Sequence, residues 1–118
     1  MSEPPILSAL ESLIAGRKAG PTAEPSYVAD LLRKGPSKIL GKIVEEAAEL
    51  IEAGAEPGDA GHAHRAREAA DLVFHVLVLL GHAGVELADV EAELGRRFGI
   101  GGHVEKAARG TAEGRAEG

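Results

Sequence analysis

Apolar residues recur at three- and four-residue intervals along most of this chain, and no run of them alternates. That spacing lines apolar side chains along one side of a helix, whereas a half-buried strand needs every second residue apolar. Strand formers are scarce, with two Thr, one Tyr and no Trp. The expectation is an all-α chain, divided by Gly and Pro. A first helix is expected from about Pro5 to Lys18, stopped by Gly20 and Pro21. Ser26 is a candidate N-cap for a short second helix ending at Gly35, and Pro36 opens a third that runs to about Ala53. "GAEPGDAG", residues 54–61, reads as a loop. A fourth helix is expected from about His62 to His82, closed by Gly84, and a fifth from about Leu87 to Phe98. Short connections between amphipathic helices favour an antiparallel helical bundle of about five helices. Residues 1–107 form the expected helical domain, and 108–118, small and polar, an expected disordered tail.

At 118 residues one domain with a modest core is expected. With two Phe and one Tyr, that core must come from Leu, Ile, Val and Ala. So thin an aromatic supply hints that subunits share a core. A net charge of −6 argues against binding a nucleic-acid backbone. The lack of cysteine excludes a disulfide framework and a thiolate zinc site. "MSEPPILSAL" has neither the basic start nor the long apolar stretch of a signal peptide. The most apolar run, "LVFHVLVLL", has nine residues and contains His75. A membrane span needs about 20. A soluble, cytoplasmic protein is the expectation.

The acids carry the functional argument. On a wheel of about 100° per residue, Ile43, Val44, Ala47, Ala48, Leu50 and Ile51 form one broad arc of the third helix. Glu45, Glu46, Glu49 and Glu52 form the other, with Lys38 and Lys42. Such an arc is ordinarily a solvated face with ion pairs one turn apart. Here, though, the lysines precede the acids, the reverse of the order that the helix dipole and Glu-before-Lys pairing favour. In the fourth helix the residues after Asp71 are apolar all round, which marks a helix buried on every side. Glu68, Asp71 and His75 share a face, with His64 below and His82 above. A carboxylate entering a core needs a cation, several donors or a metal; Arg67 and Arg96 are candidate cations. Glu46 and Glu49 are three apart, as are Glu68 and Asp71, so antiparallel helices can bring the two pairs together. Four carboxylates would make a hard-oxygen cage for Mg²⁺ or Mn²⁺, and without a cation they would repel. Phosphate chemistry follows, with Lys38 and Lys42 on the same face.

"EEAAE" at 45–49 and "EAAD" at 68–71 resemble the E-E-x-x-E … E-x-x-D signature of the all-α, MazG-like nucleotide pyrophosphohydrolases. The segments 26–51, 68–94 and 96–110 are similar to the phosphoribosyl-ATP pyrophosphatase family. That resemblance implies Mg²⁺-dependent hydrolysis of phosphoribosyl-ATP to phosphoribosyl-AMP and pyrophosphate, in histidine biosynthesis. It places the metal carboxylates on Glu46, Glu49, Glu68 and Asp71, makes Glu45 the first acid of the signature, and implies a homodimer with a shared four-helix core. Gly41, Val44 and Gly102 depart from the family's pattern, but none is a metal ligand.

Glu45 or Glu49 is the candidate catalytic base, and Lys38, Lys42, Arg96 and Arg97 are candidate phosphate contacts. His75 is expected to bond the Asp71 carboxylate. His62, His64 and His82 read as ordinary surface residues, and Tyr27 and Phe74 as the nearby rings for adenine. A pyrophosphohydrolase for dUTP, dCTP or a damaged nucleotide would share the metal site. A di-iron bundle would need Glu-x-x-His pairs, which the Glu68–Asp71 spacing does not supply. A non-enzymatic interaction bundle would leave the acids as a solvated face.

Overall fold

The structure, a computed structural model, describes residues 5–20 and 26–100; the expected tail at 108–118 and Gly102 lie outside them. Five helices are present, α1 (Ile6–Ala19), α2 (Tyr27–Lys34), α3 (Pro36–Gly54), α4 (Gly58–Ala83) and α5 (Leu87–Phe98). No strand occurs among the described residues. The all-α expectation is met, and four of the five helices begin and end close to where the Gly, Pro and capping signals put them. Contacts divide the chain into two compact units, Met1–Gly84 and Val85–Gly118.

In the first unit α3 and α4 make the most extensive contact, α1 lies on α4 and α2, and α2 touches α3 and α4. Local chemistry sets the joints. Ser26 Oγ accepts from the Ala29 amide at 3.1 Å, capping α2. Gly35 ends α2 and precedes Pro36 at φ +92°, a conformation that residues with a Cβ rarely adopt. Residues 55–57 turn the chain so that α4 folds back along α3. Ile14, Val28, Leu31, Ile39, Ala53, Leu77 and Val78 form the buried apolar centre. There a Cβ on Gly81 would come within 2.7 Å of Ile14 Cγ2, so glycine lets α1 approach α4 closely.

Three expectations need correction. The fourth helix starts at Gly58, not near His62, so only residues 55–57 of the expected loop lie outside a helix. Pro57 stands just ahead of it, and the Gly61 amide already bonds Pro57 O at 3.2 Å. Second, α3 is turned differently from its hydrophobicity. Its buried positions are Ile39, Glu46 and Ala53, seven residues apart and therefore on one line. Val44 and Ile51, expected inside, are 71% and 76% exposed, and Leu40 is exposed beside them. Third, α4 is not buried all round after Asp71: Val73 is exposed, and so is Asp71 itself. The carboxylate that enters the core is Glu68.

In the second unit α5 begins with a reciprocal capping box between Glu86 and Asp89 and ends at Gly99 in the left-handed conformation. No single helix among the described residues is long and apolar enough to cross a membrane.

Candidate metal centre

At Glu46 the inner line of α3 meets Glu68 and Asp71 of α4. Glu46 is 7% exposed and Glu68 is 9% exposed, and both lie inside the α3–α4 contact. Glu46, Glu68 and Asp71 each offer one carboxylate oxygen such that all three oxygens lie within 4.8 Å of one another. Asp71 lies at the solvent edge of the group. The Oε1 atoms of Glu46 and Glu68 are buried and have no hydrogen-bond partner while the carboxyls are ionised. Burying a carboxylate oxygen without a donor or a cation is costly. Hard, charged oxygens at this spacing fit a Mg²⁺- or Mn²⁺-sized ion.

Glu49, one turn beyond Glu46, is exposed and outside this trio of oxygens, but its carboxyl reaches Glu68. Hydrogen bonding toward Glu68, together with the repulsion between the two charges, holds the Glu49 carboxyl above the usual glutamate range.

Lys42 stands on the N-terminal side. Its Nζ donates to Glu45 Oε1 at 2.8 Å and lies 3.9 Å from Glu46 Oε2. The bond to Glu45 raises the Lys42 pKa and lowers that of Glu45. Lys38 is exposed and adds a weaker attraction on Glu45. Arg96 and Arg97 belong to the second unit, where both pair with Glu93. No ion pair to Asp71 forms among the described residues of the first unit, so Arg67 does not serve as its cation there.

Two histidines do other things than expected. His75 is buried and bonds the main-chain oxygen of Asp71, not its carboxylate, with Nδ1 at 2.8 Å. That bond makes Nδ1 the donor, so Nε2 accepts from the Tyr27 hydroxyl at 2.8 Å. The Asp71 carboxylate instead brings an oxygen to the Glu46 and Glu68 group. Tyr27 also stacks on Phe74 at 6.0 Å between centroids. His64, read as an ordinary surface residue, has Nδ1 at 2.8 Å from Glu56 Oε2 and Nε2 at 3.2 Å from Glu68 Oε2. The spacing of His64 and Glu68, one helical turn, was the available signal. Glu56, on the connection, carried none.

A family description, phosphoribosyl-ATP pyrophosphohydrolase, matches residues 7–98 of this sequence. The chain belongs to the phosphoribosyl-ATP pyrophosphohydrolase family. Similar proteins include the phosphoribosyl-ATP pyrophosphatase of Nitrosospira multiformis, 52% identical over 109 residues, covering 92% of this chain and 87% of that protein. Those of Geobacter sulfurreducens and Neisseria meningitidis serogroup B are 50% and 47% identical, each covering 88% of this chain and 93% and 94% of the respective protein. The phosphoribosyl-ATP pyrophosphohydrolase match spans both halves of the acidic site and all of α5.

Proposed function

We propose that this protein hydrolyses phosphoribosyl-ATP to phosphoribosyl-AMP and pyrophosphate, the second step of histidine biosynthesis, in the cytoplasm and with Mg²⁺. Family membership supports the substrate. The observation that carries the metal is the pair of buried, partnerless oxygens on Glu46 and Glu68, on neighbouring helices. Glu46, Glu68 and Asp71 would hold the ion, with Glu49 joining them through its contact with Glu68. Mn²⁺ would be accepted by the same oxygens. When bound, the ion offsets charge on the triphosphate and on the leaving pyrophosphate.

The chain's own residues do the rest. Lys42, and Lys38 one turn before it, offer ammonium groups to phosphate oxygens at the entrance; Lys42 would exchange Glu45 for phosphate. Arg96 and Arg97 would bind phosphate by leaving Glu93. Water attacks phosphorus, the α–β bridging P–O bond breaks, and the water's proton goes to a carboxylate. Glu49, exposed and beside the acidic trio, is better placed for that proton than Glu45, which is held by Lys42. The exposed side of α3, with Leu40, Val44 and Ile51, supports a homodimer in which a second copy completes the bundle core.

The test is pyrophosphate release from phosphoribosyl-ATP, with ATP, dUTP and dCTP alongside, with and without Mg²⁺. Metal-dependent release from phosphoribosyl-ATP, lost in Glu49→Gln, is expected. Release from a deoxynucleotide alone would overturn the substrate, and metal-independent release would overturn the metal.

A further inference from the structure

We infer that His64 is a positioning residue: held by Glu56 of the α3–α4 connection, it fixes one oxygen of Glu68 and leaves the other for the metal. The inference rests on the carboxylate site proposed above.

Three contacts prepare it. A Cβ on Gly61 would lie 2.1 Å from Glu56 O, so only glycine lets the first turns of α4 sit against the Glu56 main chain. Arg65 Nη1 donates to that same Glu56 O at 2.8 Å and to Ala53 O at 3.3 Å. The main chain of Glu56 is therefore held from α4, and its carboxylate meets His64 Nδ1 at 2.8 Å. Through Nε2 the ring reaches Glu68 Oε2 at 3.2 Å. The two oxygens of Glu68 thus differ: Oε2 faces a ring nitrogen, and Oε1 is buried without a partner.

A glutamate has three side-chain torsions to fix before it can ligate. With a proton on each nitrogen the ring donates to both carboxylates. Clamped between Glu56 and Glu68, it fixes those torsions in advance, which is how groups behind metal ligands raise affinity. The competing idea is that His64 merely neutralises Glu68 and competes with the cation. It makes the opposite prediction, since removing a competitor tightens metal binding.

The experiment is titration of Mn²⁺ into the full-length protein, following free Mn²⁺ by electron paramagnetic resonance, with urea unfolding of each metal-free variant. His64→Ala is expected to weaken Mn²⁺ binding about 10- to 100-fold. His64→Gln, whose amide can still donate to Glu68, recovers part of that loss, and Glu56→Ala falls between. Metal-free urea midpoints stay near that of the wild type. Unchanged or tighter binding in His64→Ala, while Glu68→Gln loses it, overturns the role of His64 and leaves the site standing. Weakening matched by an equal loss of metal-free stability in His64→Ala and His64→Gln also overturns it. No Mn²⁺ binding by the wild type overturns the site and this inference together. Should His64→Ala not fold, the comparison of His64→Gln and Glu56→Ala with the wild type decides.

Discussion

The two sides of α3 invert the usual rule. Facing α4, its buried line runs Ile39, Glu46, Ala53, with an acid at the centre. Facing away, Leu40, Val44 and Ile51 present apolar surface to solvent. A helix obeying hydrophobicity alone would rotate by about two fifths of a turn and bury the second set. That it does not teaches that each side lacks something outside the single chain. The inner side has too little positive charge, with Lys42 only 3.9 Å from Glu46 Oε2 and one buried oxygen each of Glu46 and Glu68 left bare. The outer side has no apolar partner among the described residues. The fold places the acid inside at a cost in stability, which is a common arrangement where a site binds charge.

The largest test is Glu46→Gln. Pyrophosphate release should fall by at least about 100-fold, the scale seen when stabilisation of developing charge is lost. The Mg²⁺-free protein should become more stable by about 1 kcal/mol, because a buried charge has gone. Urea unfolding with and without Mg²⁺ reads both effects. A variant that is less stable without metal would break the contrast, since Glu46 would then be an ordinary satisfied core residue. Next is Val44→Glu on the outer side. It should weaken self-association by about 2 kcal/mol or more and leave Mn²⁺ affinity near the wild-type value. Sedimentation velocity checks it; an unchanged mass at all concentrations would mean that the outer stripe meets nothing.

Helix punctuation was legible because each signal acts locally. Ser26 caps α2 through its own side chain, Gly35 supplies a backbone conformation, and Pro36 needs no amide partner. The start of α4 was not, because Gly58 and Gly61 are weak helix formers and the reason for helix there is the close seat of Gly61 on Glu56. The acidic group was legible as spacing, two acids three apart on each of two helices, and three of those four, Glu46, Glu68 and Asp71, come together. Its rotation into the core was not, because the wheel assigns burial by hydrophobicity and cannot see that a carboxylate may be buried for a ligand. The partners of His64 and His75 outside α4 were hidden for a different reason. One lies on the connection at Glu56, the other on α2 at Tyr27, and no spacing within α4 points to either.

A smaller effect is expected at Gly41, which lies about opposite the inner line of α3 and has open space around its missing Cβ. Gly41→Ala should stabilise the protein by about 1 kcal/mol through helix propensity alone. Urea midpoints with and without Mg²⁺ should rise together, because this position touches neither the acids nor the centre of the apolar stripe. A rise seen only with Mg²⁺ would place Gly41 in the site and sharpen the boundary between the two sides.

The smallest effect contrasts the inner acids with one that has its cations. Hydrogen bonds from Arg96 and then Arg97 hold the Glu93 carboxyl, half-exposed on α5, below the usual range. A depressed folded-state pKa adds stability that is fully present above the unfolded value, about 4.3 for glutamate. That contribution fades as the pH falls through the lower folded value. Glu93→Gln should therefore lower stability slightly at neutral pH and converge with the wild type in acid. Added salt should shrink the neutral-pH difference, because exposed pairs are screened. Glu46→Gln has the opposite sign at neutral pH without metal, so the two glutamate-to-glutamine changes, measured side by side by urea unfolding, separate an acid placed for stability from one placed for a ligand. Equal signs would remove that distinction.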